Sequence, residues 1–210
     1  MNPHSHSLSN IVDYFDFTEP VRSHIVQNNP VGVLETEEEL FRYIRKVGND
    51  GGMDEKAENL VFDLEERLNI IKHKLKFIDE SQKPSVLVLT DVNPPVFEPS
   101  TYIAHVLRLA GAKIYSPEAP SENEFNPGAI LVVSDEMERL FGDLAVLLSL
   151  DEWKNTDAVK NNRVFLVDGH THLQAMDLNI ASDVEMLAEI LYPQYLTFGG
   201  KGESWIQFEL

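Results

Sequence analysis

The chain has 210 residues, 43% of them hydrophobic, with 17 Lys plus Arg against 35 Asp plus Glu and a formal charge of −18. That field repels phosphate backbones and anionic lipid heads, which disfavours nucleic acid and membrane surfaces as partners and favours cations or basic surfaces. The absence of cysteine removes disulfides, thiolate metal sites and thiol nucleophiles.

The start, Met1-Asn2-Pro3-His4-Ser5-His6-Ser7, has neither a basic stretch nor an apolar one, so as written it carries no secretory signal. The expectation is a cytoplasmic chain, or a periplasmic or extracellular one if this start is not the original. No apolar run approaches the roughly 20 residues of a membrane-spanning helix. Asn10-Ile11-Val12-Asp13-Tyr14 reads as a short strand, and Thr18-Glu19-Pro20 as the start of a helix running to Asn28. Val31-Gly32-Val33-Leu34 reads as a second strand. Thr36-Glu37-Glu38-Glu39 has the spacing of a capping box and opens a helix to Gly48. Strand alternating with helix is the rhythm of a parallel sheet.

Beyond the break at Gly51-Gly52, Ala57, Leu60, Val61, Leu64, Leu68, Ile71, Leu75 and Ile78 recur at three and four residues. This predicts one long amphipathic helix over residues 54–79. Ser85-Val86-Leu87-Val88-Leu89, Ala129-Ile130-Leu131-Val132-Val133 and Arg163-Val164-Phe165-Leu166-Val167 are strands of the kind buried on both faces. Lys113-Ile114-Tyr115 is a shorter one. Helices are expected over residues 99–109, 134–148 and 182–191, the last capped by Ser182 with Glu185 three residues on. The glycine-rich segment after Pro193 reads as a flexible, peripheral tail.

The chemistry-bearing motifs are few. Neither phosphate-binding glycine loop is present, and no G-x-S-x-G elbow occurs. No spacing singles out an acid–base pair, so the chain reads as a binder and not an enzyme. His170-Thr171-His172 follows a strand, and in extended backbone alternate side chains share a face. Both imidazoles could then meet one metal ion or ligand, with Asp91 as a third ligand and Asp168 and Gln174 holding the second ring nitrogens. The competing reading is a surface turn with two incidental histidines. Asp91, Asn93, Phe97 and Tyr102 lie at or beyond the carboxyl end of another strand, where parallel sheets bind ligands.

From Pro84 onward the order of features resembles the type III solute-binding proteins of ABC transporters, the cobalamin, haem and iron-chelate binders. The match is carried by Asp91-Val92-Asn93-Pro94-Pro95-Val96, by Leu107-Arg108-Leu109-Ala110-Gly111 and by Asn126-Pro127-Gly128-Ala129-Ile130-Leu131-Val132-Val133. Strongest are Trp153, the run Asp157-Ala158-Val159-Lys160-Asn161-Asn162-Arg163-Val164-Phe165-Leu166-Val167-Asp168-Gly169, and Glu185 to Pro193.

The resemblance implies two parallel-sheet α/β lobes joined by a long backbone helix, the first lobe incomplete. Residues 1–52 would be a partial N-terminal α/β lobe, 53–82 the connecting helix, 83–195 the C-terminal lobe and 196–210 a peripheral tail. It implies a ligand cleft lined by Asp91, Asn93, Phe97, Tyr102, His170, His172 and Gln174, for a metal ion, metal chelate or cobalamin- or haem-type ligand. It also implies docking on an ABC permease through Glu122 or Glu124. Leu173-Gln174-Ala175-Met176-Asp177-Leu178 stands where the family often has an aromatic and an Arg-Pro-Gly-Pro-like segment. The alternative is a truncated, non-transporting relative, a cytoplasmic binding or interaction module whose vacant cleft side pairs in a homodimer.

Overall fold

The computed structural model describes residues 3–29, 33–97, 99–117 and 125–209. Three helices come first: α1 (Pro3–Phe15), α2 (Val21–Asn28) and α3 (Glu37–Asp50). The expected strand at residues 10–14 is therefore part of α1. A strand would place Asp13 on the same face as Ile11 and Phe15. The helix instead groups Ile11, Val12 and Phe15 in the core and leaves Asp13 outside, paired with Arg22. Of the second expected strand, Val31 and Gly32 lie outside the described residues, and Val33 and Leu34 are not in a strand. Before α4 the chain is thus helical among the described residues.

The capping box at α3 forms with one displacement. The Thr36 hydroxyl accepts from the Glu39 N–H at 3.3 Å, and the Glu39 carboxylate accepts from the N–H of Glu35 at 2.9 Å. Gly48 lets α3 approach the next helix closely, since a Cβ there would lie 2.4 Å from that of Ala57. That helix, α4 (Asp54–Leu75), has 22 residues and a length of about 33 Å. It buries Ala57, Leu60, Val61, Leu64, Ile71 and Leu75 and stops one turn earlier than its periodicity predicts.

The remainder is an α/β layer structure. Strand β1 (Ser85–Leu89) leads into a hairpin of β2 (Asp91–Val92) and β3 (Pro95–Val96), then α5 (Thr101–Leu109), β4 (Lys113–Ile114) and β5 (Ala129–Ser134). Next come α6 (Met137–Ser149), the short helices α7 (Asp151–Lys154) and α8 (Asp157–Lys160), β6 (Val164–Asp168), α9 (Ile180–Leu191) and β7 (Trp205–Gln207). The sheet order is β4-β1-β5-β6-β7, parallel except for β7.

Alternation along the strands divides the core in two. Val86, Val88, Leu131, Val133, Phe165 and Val167 face α5 and α9 and share one apolar cluster with α4 and the N-terminal helices. Leu87, Leu89, Ile130, Val132 and Leu166 face the other way, onto Leu140, Leu144 and Trp153. The N-terminal helices therefore have no core of their own. They are held to the sheet layer through α4, where Arg67 forms a double bridge to Glu185 of α9 (2.8 and 2.5 Å) and donates to the Ser182 hydroxyl at 2.9 Å.

The expected flexible tail is a member of the sheet. Glu189 is buried and its carboxylate accepts from the N–H groups of Gly199 and Gly200 at 3.1 and 3.0 Å. These bonds turn the chain back so that β7 pairs antiparallel to β6, with Trp205 edge-on to Phe165. Trp205→Ala is expected to lower unfolding free energy by about 3–5 kcal/mol in urea titration. A loss under about 0.5 kcal/mol, normal for a surface substitution, would contradict this role.

Candidate functional site

In a parallel sheet the carboxyl ends of the strands fall on one edge, and the loops there converge. Beyond β1 and β5 they enclose an open depression lined by Thr90, Asp91, Ser134, Asp135, Glu136 and Arg139. Asp91 caps its own turn: one carboxylate oxygen accepts from the N–H groups of Val92 (2.7 Å) and Asn93 (3.2 Å). The other accepts from the Arg139 guanidinium at 3.0 Å, and Arg139 also binds Glu136 at 2.6 Å. The Arg139 hydrogen bond, followed by that from the Asn93 N–H, holds the Asp91 carboxyl below its usual range.

Strand β6 ends at the same edge. Asp168 accepts the N–H of His170 on its side chain (2.9 Å) and that of His172 on its carbonyl (3.0 Å). The chain therefore coils into turns instead of continuing extended, and the alternation that would align two imidazoles does not apply. His170 points outward, 67% exposed, with Nδ1 3.9 Å from the Asp135 carboxylate at the rim of the depression. His172 turns inward, where Nδ1 lies 3.2 Å from Asp183. Gln174 donates to the carbonyls of Gly169 and His170, and so braces backbone instead of an imidazole. Among the described residues no three His, Asp or Glu side chains are grouped to hold a metal ion.

The remaining expected residues divide between surface and support. Asn93 is exposed next to Asp91. Phe97 stacks on Trp153 with ring centroids 6.2 Å apart, so it anchors the loop to the second core. Tyr102 is buried, and its hydroxyl donates to Asp183 at 2.8 Å. Burial first, then the Asp183 charge, pushes the Tyr102 phenol well above its usual value. Glu122 and Glu124 lie outside the described residues.

Two contributors escape a sequence reading by local pattern. Asp183 has 1% exposure and receives three donors: Tyr102, His172 and the N–H of Leu173 at 3.2 Å. Its signal is an acid on the apolar face of α9, three residues after Ile180 and four before Leu187. Arg139 carries no such signal, because its partner Asp91 is 48 residues away.

Comparison with known proteins gives the family. The periplasmic binding protein family model matches residues 22–171, and the chain belongs to that family. An uncharacterized ABC transporter substrate-binding lipoprotein of Bacillus subtilis, YvrC, is 26% identical over 159 residues, covering 74% of this chain and 50% of the relative. The crystal structure of an ABC transporter substrate-binding protein from Listeria monocytogenes matches at 26% identity and TM-score 0.60, over 74% of this chain and 64% of the other. A periplasmic haem-binding protein from Pseudomonas aeruginosa shares the fold at 18% identity and TM-score 0.62, over 92% and 75% of the two chains. The chain spans about half the length of the curated relative. These relatives are named as binding proteins, in agreement with a binder and not an enzyme, and they give no support to a cytoplasmic interaction module.

Two outcomes follow from the site. Removing the phenol in Tyr102→Phe leaves a buried carboxylate short of a donor, with an expected cost of about 1.5–3 kcal/mol in urea unfolding. A neutral effect would show that Asp183 does not depend on it. For Asp91 the folded chain favours the ionised form. Its contribution to stability is full above the unfolded value of about 3.9 and is lost as pH falls through the lower folded value. In Arg139→Gln the Asp91 titration midpoint, followed by carboxyl carbon NMR, should move up toward the unfolded value. An unmoved midpoint would assign the depression to the turn N–H groups alone.

Proposed function

We propose that the chain supplies one wall of a ligand cleft in an extracytoplasmic substrate-binding protein that feeds an ABC importer. In this reading residues 1–52 belong to the first lobe, 53–82 are the connecting helix and 83–195 the second lobe, with the tail completing its sheet. The observation that carries this reading is the convergence of the Asp91–Arg139 turn and the outward-facing His170 on the carboxyl edge of a sheet of this family. The expected ligand is a metal chelate of haem or cobalamin type. An exposed imidazole can coordinate its metal, while Arg139 and Asn93 offer donors to peripheral carboxylates or amides. A haem-binding relative on the same fold supports that class. Docking on a permease would use Glu122 or Glu124.

Titration with haem, cobalamin and a ferric chelate tests the reading. For haem, a saturable Soret change is expected in the parent protein and should be shifted or lost in His170→Ala without a change in melting temperature. His170 is the informative position, because His172 is tied to a buried carboxylate and its removal perturbs the fold as well. If none of the three ligands binds saturably, this function is wrong for the chain.

A further inference from the structure

A second cavity, of about 460 Å³, lies alongside β6 on its β7 side, bordered by residues 161–163 before the strand, by the segment after α9 and by β7. None of its lining residues belongs to the depression at the Asp91 turn. Two cations line it. Arg163 is half-buried and donates to the Leu191 carbonyl at 3.2 Å, yet it has no carboxylate partner among the described residues. Lys201 is held over the Trp205 ring, 5.8 Å from its centroid, and donates to the Gln207 side chain at 3.0 Å, again without a carboxylate.

Of the two, Arg163 is the half-buried one, where a cation without a counter-charge is costly. The one acid on the wall, Glu189, is already engaged by the two glycine N–H groups. A third donor is unmatched as well: Trp205 is 5% exposed, and its indole N–H has no acceptor among the described residues. Buried donors of this kind are normally satisfied. Phe165, Leu191, Leu196 and the Trp205 ring give the same cavity an apolar side. Burial without a counter-charge also lowers the Arg163 guanidinium from its usual value, a cost that an incoming anion removes.

We propose that this cavity binds a small carboxylate with an apolar body, its anionic end on Arg163 and Lys201 and its body against Trp205 and Leu196. The site is separate from the edge assigned to transport and does not depend on that function. It is a built concavity with convergent polar groups and an apolar wall, the usual form of a small-molecule site.

The test uses the full chain labelled at the tryptophan indole nitrogen, which gives two resonances, with Trp153→Phe assigning that of Trp205. Benzoate is the probe and benzamide its neutral control. Benzoate should shift the Trp205 resonance saturably and leave Trp153 in place, and benzamide should bind at least about tenfold more weakly. Arg163→Gln should lose at least about tenfold in benzoate affinity, the equivalent of one charged hydrogen bond. Lys201→Gln, at an exposed position, should weaken binding in the same direction and carries the test if the arginine variant does not fold. An unmoved Trp205 resonance, equal binding of benzamide, or unchanged benzoate affinity in either folded variant overturns the proposal.

Discussion

A single buried carboxylate organises the site edge of this molecule. Asp183 sits near the start of α9 and gathers a phenol from α5, an imidazole and a backbone N–H from the loop after β6. Burying a charge costs several kcal/mol unless it is fully hydrogen-bonded, so these donors are required by the burial. The loop cannot leave without stranding Asp183. Six residues before it, ahead of α9, Asp177 accepts from Asn179 and from Asn10 of α1, which extends the same network to the N-terminal helices. Burial raises the Asp177 carboxyl, so that group disfavours the fold at neutral pH and is relieved as pH falls.

The sheet then does the rest. Parallel strands place the Asp91 turn, the Asp135–Glu136 turn and the His170 loop on one edge, and the register between β5 and β6 sets Ser134 beside Asp168. The N–H of Gly169 bonds to the Ser134 carbonyl at 3.0 Å, which ties the two loops together. A Cβ at Gly169 would come 2.6 Å from the Asp135 carboxylate. Behind this edge, Arg67 clamps the long helix to α9, so strut, sheet and site form one packed unit.

Much of the sheet is legible in the sequence because buried parallel strands are uninterrupted apolar runs, and β1, β5 and β6 fall where Ser85, Ala129 and Val164 predict. That Asp91 and His170 stand at the carboxyl edge of the sheet is legible too, because topology alone places these strand ends there. Residues 10–14 mislead because β-branched Ile11 and Val12 favour a strand locally, whereas packing against α3 and α4 selects the helix. The tail misleads for a related reason. Its glycines read as freedom, and only the long-range acceptor Glu189 shows that they are turns. Pairing of His170 with His172 fails because Asp168 curls the chain within two residues, an effect of one side chain that period counting does not see.

The proposed function requires ligand to be held at the carboxyl edge of the sheet. Backbone amide NMR of the full chain with added haem measures this directly. Perturbed or broadened amides are expected to cluster at residues 90–97, 134–136 and 168–174, with α2, α7 and the β7 edge unaffected. Perturbations spread over the molecule, or centred away from that edge, would contradict it.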